Sequence, residues 1–391
     1  MTGFPPPADQ RATLANWRTP PFNRWAFHHV SELVPSAFVR GAASATPWQL
    51  EPRDLDGFRL EHRGRHFDFR GWLDQTFTDS FVVLRDGKLA FETYAGGQDA
   101  ATPHIWMSVS KSVLGLVAGI AVGRGQLDVD ARLETIVPEL EGSAFAGATV
   151  RDALDMRVGI HFDEDYHARS GPIIEYRKAH LWDPLPVGEQ PSDLRSFLCT
   201  LKERDGEHGG RFHYVSPNTD LLGWVLERAT GTRYADLVSD TLWKPIGAER
   251  DAYITVDRFG APRCAGGFCA TPRDMARLGR LFVTGGRQGS EQVVPEAWIR
   301  DIVGFDGEQA WQAGDFFDLF SRAPMHYRSK WYVLHGPQPL VFGVGVFGQH
   351  LFIDPAADLV IAMCASQPLP LDESFVALTM AGVEQLRAIF Q

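Results

Sequence analysis

Cysteine is scarce in this chain of 391 residues: Cys199, Cys264, Cys269 and Cys364 show no C-x-x-C spacing, which argues against a disulfide framework and a structural zinc site. No apolar run reaches the roughly 18 residues that would span a bilayer, and the longest, residues 113–122, falls well short, so no membrane partner is expected. Basic residues are outnumbered, 38 Lys plus Arg against 49 Asp plus Glu. A formal charge of -11 with no local basic patch speaks against nucleic acid as a partner. The opening stretch has no basic segment followed by an apolar one, so no secretory signal is read and the expected compartment is the cytoplasm. The G-x-S-x-G elbow is missing, and with it the nucleophile turn of the α/β-hydrolases. His28, His29, His161, His180 and His213 have no H-E-x-x-H or related spacing, so neither a metal nor a cofactor is expected.

What is present is an ordinary globular composition, 44% hydrophobic and 22% charged, in a chain longer than one typical domain. The aromatic and proline-rich start (Trp17, Pro20, Pro21, Phe22, Trp25, Phe27) reads as irregular structure wrapped over a body. Residues 81–94 are two β-rich runs around Asp86-Gly87, a hairpin signal. Residues 106–122 are apolar almost all round and start at serines suited to capping, which predicts a buried helix. Gly115 and Gly119 share one face of it and predict close approach of another element. Capped helices follow at 149–156 and at 218–231 with Gly231 as the stop, and a further helix at 271–282 has a proline in its first turn. Strands return at 340–348, 350–354 and 358–364 before a final helix at 374–390. The expected class is α+β: an antiparallel sheet flanked by helices and built from both chain ends (1–122 and 237–391), plus a helical insertion (123–236).

Three pieces could carry chemistry. The first is Ser108-Val-Ser-Lys111. A serine hydroxyl needs a base to take its proton, and a spacing of three puts both side chains on one helical face. A lysine at a helix N-terminus and shielded from water is pushed toward the neutral amine. The apolar residues after Lys111 do not suit a solvated lysine. The second is Tyr214-Val-Ser216, where a phenol near a lysine ammonium would ionise more easily and could shuttle a proton. Read alone, Tyr214 fits a core aromatic with a bonded hydroxyl better than a catalytic residue. The third is Gly343-Val-Gly-Val-Phe-Gly348, which fits G-x-G-x-x-G but opens no helix. The dinucleotide reading fails there, and a glycine-rich edge strand that brings a substrate carbonyl near a backbone N–H fits better. Asp163-Glu-Asp165 reads as a solvated acidic turn rather than a carboxylate pair.

In this order the three pieces resemble the serine β-lactamase/penicillin-binding superfamily. Pro20-Pro-Phe-Asn-Arg-Trp-Ala-Phe27, Met107-Ser-Val-Ser-Lys-Ser112, Glu164-Asp-Tyr166, Ser216-Pro-Asn-Thr-Asp220 and Gly348-Gln-His-Leu-Phe-Ile-Asp-Pro355 place it nearest the 6-aminohexanoate-dimer (nylon oligomer) hydrolases, with family VIII carboxylesterases beside them. The resemblance implies Ser108 as nucleophile, Lys111 as its base and Tyr214 as proton relay. It implies an oxyanion hole from the backbone N–H groups of Ser108 and Val346, and a substrate site with Tyr166, Trp182, Phe347 and Gly348. Three positions depart from the family pattern. Gly343-Val-Gly345 stands where a cation would hold a β-lactam carboxylate, Arg177 stands where an acidic residue is expected before the tryptophan, and Ala265 stands where a polar side chain is expected before Gly266-Gly267. The function implied is a serine hydrolase of carboxylic esters, with linear amides such as 6-aminohexanoate oligomers as a second class. A β-lactamase or D,D-peptidase-like enzyme, and a catalytically silent binding or scaffold protein on the same fold, are the alternatives. The expected partner is a small ester or amide, and a homodimer is left open.

Overall fold

The computed structural model describes residues 1, 3–190 and 192–390. The hairpin expected at Asp86-Gly87 is there: β1 (Thr78–Arg85) and β2 (Lys88–Tyr94) pair antiparallel, and Asp86 and Gly87 turn the chain at φ 51° and 69°. The other strands of this sheet come from the far end of the chain: β3 (Met325–Arg328), β4 (Trp331–Leu334), β5 (Leu340–Gly345), β6 (Gln349–Asp354) and β7 (Leu359–Ala365). All neighbours are antiparallel in the order β3-β4-β5-β6-β7-β1-β2, so both ends of the chain build one sheet, as expected. The glycine-rich strand β5 is interior rather than an edge, because β3 and β4 add on outside it. Its pairing with β4 nevertheless stops at Phe342, while pairing with β6 runs on to Gly345, so residues 343–345 keep one free side.

Alternation along the strands sorts side chains onto two faces. Leu351, Ile353, Val360 and Ala362 join the larger hydrophobic core, while Phe352, Ile361 and Met363 join a second. Helix α1 (Val109–Gly123) lies in the larger core, buried from Val109 to Ala121. Its glycines do what their spacing predicted: a Cβ on Gly115 would stand 2.0 Å from the Ser329 carbonyl oxygen, and one on Gly119 2.4 Å from the Trp298 ring. The stretch that follows is helical, including α2 (Pro172–Ala179) and α3 (Pro217–Thr230), which ends at Gly231 in the left-handed region. The short helix Val150–Leu154 carries a Thr149/Asp152 capping box. Beyond it, α4 (Pro272–Val283), capped by Thr271, packs on the larger-core face of the sheet, and α5 (Glu373–Phe390) packs on the other, with Gly382 against Trp72.

A second, four-stranded sheet was not anticipated: Ser36–Val39, Ala252–Thr255, Phe268–Ala270 and His104–Ile105 pair in that order. Strands of two to four residues are too short for alternation to show in the sequence. The start of the chain wraps the body as expected, with Trp17 and Phe27 fully buried. Among the described residues, no helix is long and apolar enough to cross a membrane.

Candidate active site

Met107 holds φ 44°, a left-handed conformation unusual for a residue with a side chain, and this bend presents Ser108 at the start of α1. Ser108 makes no side-chain cap, contrary to the capping expected from its position. Its hydroxyl is engaged elsewhere: Lys111 Nζ lies 2.7 Å from Ser108 Oγ, one helical turn away. Lys111 is 1% exposed. Burial lowers its pKa to about 7; Glu164 and Asp220 pull it up, and Arg263 pushes it down further. Relative to the ordinary value near 10.5, that shift is roughly 5 kcal/mol against the charged form. Near neutrality, therefore, much of this lysine is a free amine able to accept the serine proton.

Lys111 is also tied to the main chain. Its Nζ donates to the Ala265 carbonyl at 2.7 Å, and the Ala265 N–H in turn donates to Asp220 Oδ1 at 2.8 Å. The second Asp220 oxygen accepts from Arg263 and from the Tyr176 hydroxyl. Position 265 thus acts through its backbone, and alanine there costs the lysine nothing. Asp220 and Arg263, absent from the expected site, hold this strut.

Tyr214 brings its ring face to Lys111, with Nζ 4.9 Å from the centroid, and its hydroxyl into reach of Ser108. Burial and the negative charge of Glu164 raise its pKa above the usual phenol range, although hydrogen bonding to Ser108 works the other way. The expectation of an easily ionised phenol is therefore reversed. Tyr214 stays protonated, which suits a proton donor. Asp315 fixes its loop by accepting from the Tyr214 N–H at 2.9 Å and from His213 at 2.8 Å, while Phe316 packs on the ring.

Glu164 was expected on a solvated turn. Asp163 and Asp165 are exposed, but Glu164 turns inward, accepting from the Tyr166 hydroxyl at 2.9 Å and from both the N–H and Oγ of Ser216 at 2.5 Å. It joins the Tyr166 loop to the Tyr214-x-Ser216 segment and lowers the potential at the lysine.

Strand β5 ends against the nucleophile. A Cβ on Gly345 would stand 2.5 Å from the Trp106 carbonyl oxygen and 3.0 Å from the Ser108 nitrogen; one on Gly343 would stand 2.9 Å from Ser112 Oγ. Only glycine permits this approach. Val346 follows Gly345 directly, and among the described residues neither its N–H nor that of Ser108 has a protein acceptor. Both donors are thus free to meet an acceptor on a ligand.

The other expected substrate residues divide. Tyr166, Val346 and Phe347 line a cavity of about 300 Å³ with Met107 and Trp182. Trp182 is held by its Nε1 donating to Thr255 Oγ1 at 3.2 Å and by edge contact with Trp17. Tyr166 and Val346 also line the narrow apolar slot that contains Ser108 and Tyr214. Gly348 is not on the cavity wall; it sits in the β5–β6 turn at φ 89°, facing Gln367 and Ala365. A further cavity, of about 560 Å³, opens on the Tyr214 side between Asp163, His213 and Phe316.

Three buried residues distant in sequence, His28, Asp79 and His104, bring ligand-type atoms within 4.8 Å of one another. Arg24 Nε donates to Asp79 at 3.0 Å and His104 stands 3.6 Å from its other oxygen, so the carboxylate already has a guanidinium partner.

Against known proteins, a beta-lactamase family model matches residues 72–381. The chain belongs to the beta-lactamase family. It is a hydrolase of that serine-dependent type. It is 36% identical over 367 residues to a 6-aminohexanoate-dimer hydrolase of Paenarthrobacter ureafaciens, covering 94% of this chain and 91% of that one. A solved Bacillus anthracis chain, provisionally named a 6-aminohexanoate-dimer hydrolase, superposes with a TM-score of 0.88 at 25% identity over 98% of each chain. A family VIII carboxylesterase shares the fold with a TM-score of 0.57 at 16% identity, covering 80% of this chain and 96% of that one.

Proposed function

We propose that this protein is an acyl-transfer hydrolase acting on carboxylic esters, and on linear amides as a second class, through a covalent acyl group on Ser108. The observation that carries the reading is the 2.7 Å contact between Lys111 Nζ and Ser108 Oγ inside a site where burial holds the amine near half-protonation at neutral pH. Lys111 takes the serine proton as Oγ attacks the carbonyl carbon. The resulting oxyanion is received by the N–H groups of Ser108 and Val346. Tyr214 passes its proton to the departing alkoxide or amine and is reprotonated from Lys111. Water, deprotonated by the same amine, then releases the acid and restores Ser108. Residues 123–236, which supply Glu164, Tyr166 and Tyr214, serve as a helical lobe closing over the sheet lobe.

Esters need less help than amides, because an alkoxide leaves more readily than an amine. The 6-aminohexanoate-dimer hydrolase relative supports linear amides as the second class. For β-lactams, residues 343–345 offer no side-chain cation, which favours linear substrates over a β-lactamase or D,D-peptidase activity. Labelling by a fluorophosphonate, followed by peptide mass spectrometry, tests the assignment. The adduct is expected on the peptide containing Ser108. Ester turnover unaffected by Ser108→Ala would reject Ser108 as the nucleophile, and absence of both labelling and turnover would favour a silent binding protein.

A further inference from the structure

The 300 Å³ cavity beyond Tyr166 carries three guanidinium groups, those of Arg18, Arg177 and Arg263. Two have carboxylate partners: Arg18 pairs with Asp183, and Arg263 with Asp220. Arg177 does not. Its Nη2 donates to the Tyr166 carbonyl at 3.0 Å, and among the described residues no carboxylate lies within ion-pair distance, although its side chain is buried. A buried guanidinium cannot shed its proton, so it needs an anion nearby to offset lost hydration. The three cations also feel one another. Burial draws Arg18 down to about 10; Asp183 opposes this, while Arg177 and Arg263 add to it. Glu164 lines the same cavity, but its oxygens already accept from Tyr166 and Ser216. The remaining wall is largely apolar, including Met107, Ile173, Trp182 and Phe347.

The cavity's place relative to the proton donor fixes which half of a substrate enters it. Tyr214, which serves the leaving group, lines the other cavity and not this one, so the leaving group departs past Tyr214 while the acyl chain runs toward the arginines. We propose that the preferred acyl group is an aliphatic chain ending in a carboxylate, bound by Arg177 in this cavity. The inference rests on Ser108 being the nucleophile. The preferred substrates are half-esters or half-amides of aliphatic dicarboxylic acids.

Three chromogenic esters of similar acyl length test it: mono-p-nitrophenyl adipate, p-nitrophenyl hexanoate and p-nitrophenyl 6-aminohexanoate. The adipate ester is expected to have kcat/KM about 10-fold or more above the other two, as one charge-assisted hydrogen bond supplies. That preference shrinks with salt. Arg177→Gln removes most of it, Arg177→Lys retains part, and Arg177→Asp moves it toward the ammonium ester. Because Arg177 also braces the Tyr166 loop, the ratio between substrates is the readout, not absolute rate. Ordinary turnover of the hexanoate ester with no charge preference, or a preference unmoved by Arg177→Gln, overturns this inference alone. Failure of all three esters together with an unlabelled Ser108 overturns the nucleophile assignment and this inference with it.

Discussion

The floor of the site and its far wall bury cations to opposite ends. On the floor, Lys111 loses its charge because an ammonium taken out of water is destabilised and an amine can release its proton. On the wall, Arg177 is buried less deeply, and it meets no carboxylate among the described residues. Burial therefore yields a base in one place and an unmet positive charge in the other. Burial decides reactivity only through the proton affinity of the buried group. Lys330 sharpens the point. It too is buried and pushed well below the ordinary lysine range, yet its Nζ donates to the Ala153 carbonyl, and among the described residues it has no hydroxyl partner to activate.

The most damaging test of the floor is Ser108→Ala, which should lower ester turnover by about 10⁴-fold in kcat, measured with a chromogenic ester. Lys111→Ala should cost about 10³-fold, and in the unmodified protein kcat/KM should climb with pH and level off above about 7, since the amine is active only after losing its proton. A profile flat from pH 5 to 9 would remove Lys111 from the role of base. Tyr214→Phe should cost roughly 10²-fold, more for amides than for esters, because an amine leaving group depends more on a donated proton. Least disruptive is Glu164→Gln. Glu164 favours the charged form of Lys111, so neutralising it should move the acidic limb of the pH profile to lower pH; a limb that stays put would show that floor and loop are electrostatically independent. At the wall, the Arg177 series separates recognition from chemistry by changing the ratio between substrates.

Much of the floor was legible because it is local. Ser108 and Lys111 sit one turn apart on an apolar helix, and the Asp86-Gly87 hairpin, the Gly231 stop and the Thr271 cap are each settled within a few residues. The readings that changed involve distant partners. Glu164 turned inward because Ser216, 52 positions on, offers two donors. Strand β5 left the sheet edge because β3 and β4 lie outside it, and the direction of the Tyr214 shift followed from its burial and from Glu164. Asp220 stood only at the end of the Ser216–Asp220 stretch with no role read from it, and Arg263 and Asp315 carry no motif; all three matter through what they hold.

One helical turn was enough to bring the hydroxyl and the amine together, since a spacing of three residues is a property of the backbone and needs no partner. Whether that amine would be charged could not be read from any stretch of chain. Its state depends on how much water is excluded and which charges surround it, and those charges come from segments 53 to 152 positions away that meet it only when the core closes.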